Sequence, residues 1–140
     1  MASRFDVVII GAGPAGIACA RVLAGSSLSV LLVEKNAVIG PKICAGGLTR
    51  VAVDFGIPEE QARTFHSQTV HLDEQPPLKI VLTHPLKTVS RTALARHHLQ
   101  QIEKAPNIAF AAGTKVTGLM DGSIATDRGD FSFRVLVAAD

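Results

Sequence analysis

The sequence predicts an α/β fold, in which a parallel β-sheet begins with a strand–helix–strand unit and is joined by a small antiparallel meander. Short, largely apolar runs rich in valine, isoleucine and leucine lie at residues 5–10 and 28–33, as is typical of parallel strands covered on both faces. Further along, short strand-like runs are separated by turn signals such as Asp121-Gly122, which indicate antiparallel hairpins.

The first half of the chain supplies the strand–helix–strand unit. Residues 14–24 carry the signals of a helix, with Pro14 near its start, small residues along it and Gly25 at its end. The crossover between the two parallel strands is expected to be right-handed. Residues 35–47 have the composition of a loop, and residues 48–56 place apolar side chains at helical spacing.

The second half adds one helix and more strands. The motif Glu-Gln-Pro-Pro separates two predicted antiparallel strands, and Ser90 is predicted to cap a helix that ends before Pro106. The predicted elements are strands at residues 65–73 and 78–83, a helix at 91–104, a third parallel strand at 108–111, and strands at 115–120, 123–126, 130–133 and 134–139.

Composition excludes several classes of protein. Of the 140 residues, 47% are hydrophobic and 19% are charged, which excludes a disordered segment. The net charge is only +2 and the sequence contains no run of basic residues, so no nucleic-acid partner is predicted. Two cysteines are too few for a disulfide framework or a zinc site, which predicts a reducing, cytoplasmic location. The five histidines lack metal spacing, and no metal is predicted.

The motif Gly-Ala-Gly-Pro-Ala-Gly at residues 11–16 predicts a Rossmann-like dinucleotide-binding site, because it follows a predicted strand directly and opens a helix. Gly11 allows the tight turn, Gly13 lets the backbone approach a pyrophosphate, and Gly16 lets the helix pack on the strand. The alternative is a glycine-rich turn without a ligand. The predicted pyrophosphate-binding residues are Gly11, Gly13, Pro14, Ala15 and Gly16.

Glu34 ends the second predicted strand. An acidic residue about 20 positions after the first glycine accepts hydrogen bonds from the ribose hydroxyls of adenosine. A carboxylate there also repels a 2′-phosphate, so NADP is disfavoured. Lys35 is a further candidate contact, although a solvated surface charge is the alternative. These residues alone fit either FAD or NAD.

Two segments resemble a known family. The segment Val-Val-Ile-Ile-Gly-Ala-Gly-Pro-Ala-Gly, followed by Val-Leu-Leu-Val-Glu-Lys, is similar to the N-terminus of glutathione-reductase-type FAD-binding oxidoreductases. The segment Pro-Lys-Ile-Cys-Ala-Gly-Gly-Leu at residues 41–48 resembles the Lys-x-Cys-Gly-Gly-Gly-Leu segment of the geranylgeranyl reductase family. These FAD enzymes saturate isoprenoid double bonds and are related to aromatic hydroxylases. The resemblance is dense over residues 5–48 and thin in the rest of the chain.

The resemblance implies that Cys44, Ala45, Gly46 and Gly47 form a loop beside the flavin ring, with Cys44 as the candidate catalytic residue. Ala45 stands where the family has glycine, which leaves the path of the loop open. A small buried hydrophobic side chain is the alternative for Cys44. Cys19 is expected in the core.

Three further cofactor contacts are predicted. The resemblance implies that Arg91 reaches the cofactor, since a guanidinium pairs well with phosphate oxygens. It also implies that Val116 lies where adenine is held by backbone groups. Lys42, in the loop, is a candidate phosphate contact.

The resemblance implies the FAD-binding part of a flavin-dependent oxidoreductase. In its full length the protein would reduce geranylgeranyl double bonds, with a small-molecule or lipid isoprenoid substrate and NAD(P)H or another electron donor. The alternatives are an FAD-dependent monooxygenase or halogenase, and a non-catalytic nucleotide-binding module. We expect residues 1–140 to be the N-terminal part of an FAD-binding domain, without the substrate domain and inactive alone. A lipid substrate would bring the full-length protein to a membrane surface.

Overall fold

The computed structural model describes residues 3–41, 44, 46–48, 57 and 59–139. The chain divides into two compact units. The first, here called the sheet unit, comprises Met1–Pro41 and Ala95–Asp140, and the second, the hairpin unit, comprises Lys42–Leu94. In chain order the elements are β1 (Ser3–Ile10), α1 (Pro14–Leu23), β2 (Val30–Glu34), β3 (Gly47–Leu48), a 3₁₀ turn (Glu59–Gln61), β4 (Ala62–Val70), β5 (Leu78–Val89), α2 (Arg91–Ile102), β6 (Ile108–Ala112), β7 (Val116–Met120), β8 (Ser123–Thr126) and β9 (Gly129–Ala138).

The sheet unit contains a six-stranded sheet in the order β6-β2-β1-β9-β8-β7. Strands β6, β2, β1 and β9 are parallel to their neighbours in that order, whereas β7, β8 and β9 form an antiparallel meander. The α/β fold, with its strand–helix–strand unit and its meander, is therefore confirmed. The meander belongs to the same sheet as the parallel strands.

Alternate residues of the central strands enter two separate cores. Val7, Ile9 and Leu32 pack on one face with Ile17 of α1 and Ile102 of α2. On the other face, the side chains of Val8, Leu31, Val33 and Ile124 pack together. Because both faces are covered, each fully buried aliphatic side chain contributes about 1.5–3 kcal/mol, and residues 7–10 and 30–33 of these strands are apolar without interruption.

The predicted strands at residues 130–133 and 134–139 are wrong as separate elements, because the structure has one continuous strand, β9. β9 lies between two strands: residues 129–132 pair antiparallel with β8 along one edge, and residues 131–138 pair parallel with β1 along the other. Arg134 breaks the apolar pattern, but its guanidinium lies at the surface, 3.3 Å from Oδ1 of Asp6. Hydrogen bonds donated by the backbone and hydroxyl of Ser29, and then Arg134, hold the pKa of Asp6 below its ordinary value.

Asn107 ties the start of β6 to the turn between α1 and β2. Its amide nitrogen donates to the carbonyl oxygens of Leu23 and Leu28, each at 2.9 Å, and its oxygen accepts from the backbone N–H of Gly25 at 3.0 Å. These contacts join residues about 80 positions apart, and they fix the turn that sets the second parallel strand in register.

The hairpin unit contains a three-stranded antiparallel sheet in the order β3-β5-β4. The predicted antiparallel pair is confirmed, although β5 continues beyond residue 83 to Val89. A bulge between Phe65 and Ser67 places Pro85, which lacks an N–H, in the irregular part of the ladder. Ser90 caps α2 as predicted, because its hydroxyl accepts from the backbone N–H of Ala93 at 3.1 Å.

The helix predicted at residues 48–56 is wrong at Leu48, which lies in the short strand β3. Leu48 pairs with Lys87 of β5 and packs with Val89 and Leu94, so tertiary packing decides its conformation. The remainder of that prediction, residues 49–56, lies outside the described residues.

Candidate dinucleotide-binding site

The carboxyl ends of parallel strands β1, β2 and β6 lead into the predicted site residues of the sheet unit. Gly11 follows β1 and Glu34 ends β2, while β6 ends at Ala112. The crevice beyond the carboxyl ends is where open α/β sheets bind their ligands. The register of these strands therefore determines which loops can meet there.

The glycine-rich turn, residues 11–16, contains two glycines that the fold itself requires. Gly11 has a φ of 100°, which side-chain-bearing residues rarely adopt. A Cβ on Gly16 would overlap the carbonyl oxygen of Gly11. The backbone of α1 at Gly16 therefore lies in direct contact with the backbone of Gly11, and any side chain at Gly16 would separate them.

Gly13 differs, because no described part of the protein requires it to be glycine. A Cβ at Gly13 would meet no atom of the described residues within 4 Å, and its φ of −70° is open to any residue. Gly13 is the N-cap of α1, and no side chain of the described residues makes a capping hydrogen bond at this end of the helix. The first N–H groups of a helix lack intrahelical partners and attract anions. Open space beside them fits a pyrophosphate.

Glu34 joins the end of β2 to the glycine-rich turn. Its side chain is buried, and its Oε2 accepts a hydrogen bond from the backbone N–H of Ala12 at 2.9 Å. Its Oε1 accepts two more, from the backbone N–H and the side-chain amide of Asn36, both at 2.8 Å. Neither Ala12 nor Asn36 could be identified from the sequence. Ala12 contributes only its backbone N–H, and an asparagine in a loop has no characteristic spacing that would mark it as a hydrogen-bond donor to Glu34.

The other predicted residues of the sheet unit lie in the first turn of α1, directly after Glu34, or after the third parallel strand. Pro14 and Ala15 are exposed on the first turn of α1, and Lys35 is exposed after Glu34. Val116 begins β7, and its half-buried side chain packs against the core that contains Val8. Cys19 packs on the helix-side core, as predicted.

In the hairpin unit, the Cys-Gly loop, residues 44–47, is held against the end of β5. Gly46 has a φ of 68°, and a Cβ there would overlap the carbonyl oxygen of Val89. The backbone N–H of Val89 donates to the carbonyl of Gly46 at 3.0 Å, and the N–H of Gly46 donates to Sγ of exposed Cys44 at 3.4 Å. Gly47 has room, since its Cβ would lie 4.0 Å from Leu86 Cδ1.

Arg91, the first residue of α2, carries a buried nitrogen that needs a partner. Its Nε has no hydrogen-bond acceptor among the described residues. Leaving a buried donor unsatisfied costs about 1–3 kcal/mol, so such a group ordinarily bonds to an ordered water or a ligand. Two further predicted contacts, Lys42 and Ala45, lie outside the described residues.

Two other features bear on the class of protein. Within the described ranges, no three or more His, Cys, Asp or Glu side chains are grouped to hold a metal ion. None of the helices that the structure describes is both long and apolar enough to span a bilayer.

Comparison with known proteins agrees with the geometry. The family model for FAD dependent oxidoreductases matches residues 6–126. Digeranylgeranylglycerophospholipid reductase 1 of Methanopyrus kandleri is 47% identical over 52 residues, which are 36% of this chain and 14% of that protein. This match confirms the predicted resemblance to geranylgeranyl reductases.

Solved structures share the fold at low sequence identity. A geranylgeranyl bacteriochlorophyll reductase-like protein of Thermoplasma acidophilum superimposes with a TM-score of 0.79 at 21% identity, covering 100% of this chain and 40% of that one. The p-nitrophenol 4-monooxygenase PnpA of Pseudomonas putida gives a TM-score of 0.79 at 18% identity, covering 100% and 42%. The chain thus spans less than half the length of these relatives. Because the family model matches most of its length, the chain belongs to the FAD-dependent oxidoreductases.

Proposed function

We propose that the sheet unit binds the ADP half of FAD, with its pyrophosphate on the glycine-rich turn and its adenosine ribose on Glu34. The open space at Gly13 carries this proposal, because it is the one glycine of the motif that the fold does not require. The turn residues Gly11, Gly13, Pro14, Ala15 and Gly16 supply backbone contacts. Lys35 and the backbone of Val116 lie on the adenosine side.

The Cys-Gly loop and Arg91 are assigned to the flavin half of the same cofactor. Room beside Gly47 suits a backbone that lies close to a planar ring, and Cys44 is exposed where it can contact flavin or substrate. The buried Nε of Arg91 requires an acceptor, which a phosphate or flavin oxygen supplies. Lys42 and Ala45 complete this set of assignments.

For the full-length protein we assign the reduction of isoprenoid double bonds, with NAD(P)H or another electron donor as reductant. The support is the similarity to a named lipid reductase and the resemblance of residues 41–48 to the geranylgeranyl reductases. Bound FAD supplies hydride transfer, and the residues of this chain bind and orient it. The substrate is then a small molecule or a lipid, and the protein is cytoplasmic or lies at a membrane surface.

A flavin-dependent monooxygenase or halogenase is the second candidate. The fold matches PnpA as closely as it matches the reductase-like protein, with a TM-score of 0.79 for each. Oxygen consumption by the reduced full-length protein separates the two, because a monooxygenase consumes oxygen with its substrate and an isoprenoid reductase does not. In either case, because the chain spans less than half the length of these relatives, we expect residues 1–140 alone not to turn over substrate.

The test of binding is a calorimetric titration of the 140-residue chain with FAD, with NAD and ADP as competitors. We expect micromolar affinity for FAD and weaker binding of NAD. Substitution Glu34→Arg should abolish binding, and Glu34→Gln, which keeps the side-chain shape, should weaken it at least about tenfold through loss of a charged hydrogen bond.

Glu103→Arg is the matched control, since Glu103 is exposed in the sheet unit after α2. It should leave FAD affinity unchanged. Equal affinity of wild type, Glu34→Gln and Glu103→Arg for FAD would overturn the assignment of the ribose to Glu34. Failure of the folded wild-type chain to bind either FAD or ADP would overturn the proposed function.

A further inference from the structure

We infer that Asn36 is a positioning residue for ribose recognition, which holds the Glu34 carboxylate so that Oε2 alone faces the ribose hydroxyls. The inference rests on the proposed function, which gives the ribose to Glu34. It adds a residue that no motif marks, and it predicts how the site distinguishes ribose from a sugar without hydroxyls.

The two carboxylate oxygens of Glu34 are unequally occupied. Oε1 accepts both the backbone N–H and the side-chain amide N–H of Asn36, each at 2.8 Å, which uses its two lone pairs. Oε2 accepts one hydrogen bond, from Ala12 at 2.9 Å, and keeps capacity for another. A ribose hydroxyl that donates to Glu34 is therefore directed to Oε2.

Asn36 can hold the carboxylate because its own backbone is held. The backbone N–H of Gly113 donates to the carbonyl of Asn36 at 3.1 Å, and that of Thr114 donates to the carbonyl of Glu34 at 2.8 Å. Thr114 is 3% exposed, so this brace lies inside the unit. The loop after β6 thus fixes the segment that carries both the acid and its amide partner.

The side-chain amide also limits what the carboxylate can do without a ligand. Glu34 is 8% exposed, so its carboxylate has little access to water. If it lost an amide donor, it would rotate to form a hydrogen bond elsewhere. Rotation would move Oε2 away from Ala12 and from the ribose position together. Asn36 therefore keeps the acceptor in place before the ribose arrives.

The experiment measures affinity of the 140-residue chain for two probes, ADP and 2′,3′-dideoxyadenosine diphosphate, which lacks both ribose hydroxyls. Wild type should prefer ADP. Asn36→Ala should lower ADP affinity about tenfold, the equivalent of one charge-assisted hydrogen bond, and change the affinity for the dideoxy probe little. Asn36→Asp, which puts a negative charge where the amide donates, should reduce the preference further.

Two controls separate positioning from general stability. Asn107→Ala removes an asparagine that braces the far turn of the same unit, so it should lower the melting temperature but keep the preference for ADP. In a Glu34→Gln background, Asn36→Ala should have no further effect on that preference. A merely structural role for Asn36 would lower both affinities equally.

The outcomes are distinct. If Asn36→Ala and Asn36→Asp both keep the wild-type ratio of the two affinities, the inference is overturned while the proposed function stands. If folded wild type binds neither probe nor FAD, the proposed function falls and the inference falls with it. A preference for ADP that depends on Asn36 only when Glu34 is present supports both.

Discussion

The glycine-rich turn and the Cys-Gly loop lie in different units of the molecule and use their glycines in the same two ways. Apart from Gly11, which its positive φ requires, each contains one glycine that the fold requires, Gly16 or Gly46, because a Cβ would overlap a backbone carbonyl. Each also contains one glycine with room around it, Gly13 or Gly47. The required glycines bring two backbone segments together, and the roomy glycines leave a surface open to a ligand.

The two segments differ in what holds them. A buried side chain, Glu34, holds the glycine-rich turn through the N–H of Ala12. The Cys-Gly loop is held by a backbone hydrogen bond between Val89 and Gly46 and by the thiol of Cys44. The turn therefore depends on one acid that is also the proposed ribose contact, whereas the loop depends mainly on backbone geometry.

The largest expected effect comes from the required glycines. Gly16→Ala and Gly46→Ala each force a methyl group onto a backbone carbonyl, and we expect each to cost at least about 4 kcal/mol of unfolding free energy. Urea denaturation followed by circular dichroism measures this loss. If either variant unfolds at the wild-type urea concentration, the close approach at that glycine is wrong.

The roomy glycines should affect binding and leave stability intact. Gly13→Ala should change the unfolding free energy by less than about 0.5 kcal/mol, since no atom is displaced, yet weaken FAD and ADP at least about tenfold. Calorimetry and urea denaturation of one preparation give both values. Gly47→Ala is the companion variant, which should weaken FAD and spare ADP. Unchanged FAD binding by Gly13→Ala would remove the main support for the pyrophosphate site.

The smallest effect is a pH dependence that separates the two units. His98 is 5% exposed in the sheet-unit part of α2, and its pKa is lowered from 6.5 by burial, then by the charges of Arg21 and His97. The unfolded chain therefore binds more protons below pH 6.5, so stability is complete above that pH and falls as the pH drops toward the folded pKa.

Amide hydrogen exchange between pH 7 and pH 5 locates that loss. The pH steps are chosen to bracket the ordinary pKa of about 6.5. Once the data are corrected for intrinsic exchange rates, protection should fall at a higher pH in the sheet unit than in the hairpin unit. The loss of protection should be smaller than the loss that Gly16→Ala causes. His98→Gln should remove this difference, because glutamine does not titrate. Equal loss of protection in both units of the wild type would contradict the assignment to His98.

Much of the sheet unit could be predicted, because its signals are local. Apolar runs and an adjoining glycine motif define β1, α1 and β2, and they place Glu34 at a strand end. The same reasoning failed at β9, where Arg134 resembles a break between two strands. The strand continues through Arg134 because the arginine side chain reaches the surface. A charged side chain within an apolar run therefore does not by itself mark the end of a strand.

The parts that escaped prediction depend on contacts between distant residues. Asn107 braces a turn about 80 positions earlier, and Gly113 braces Asn36 through backbone groups that no residue type reveals. Short polar residues in loops are common, and nothing in their spacing distinguishes a brace from a solvated side chain. The cofactor contacts assigned to Arg91, Val116 and the two loops remain predictions.

The pairing of β9 with β1 has a consequence for how the chain is made. Ser3 lies opposite Phe131 and Ile10 opposite Ala138, so β1 cannot pair with its second neighbour until residues 131–138 have been synthesised. Until then β1 presents an open, apolar edge, the kind of surface that recruits other chains. Parallel pairing across so long a separation is also slow to form. Aggregation during synthesis is therefore the hazard that this topology creates, and a chaperone that shields β1 early would relieve it.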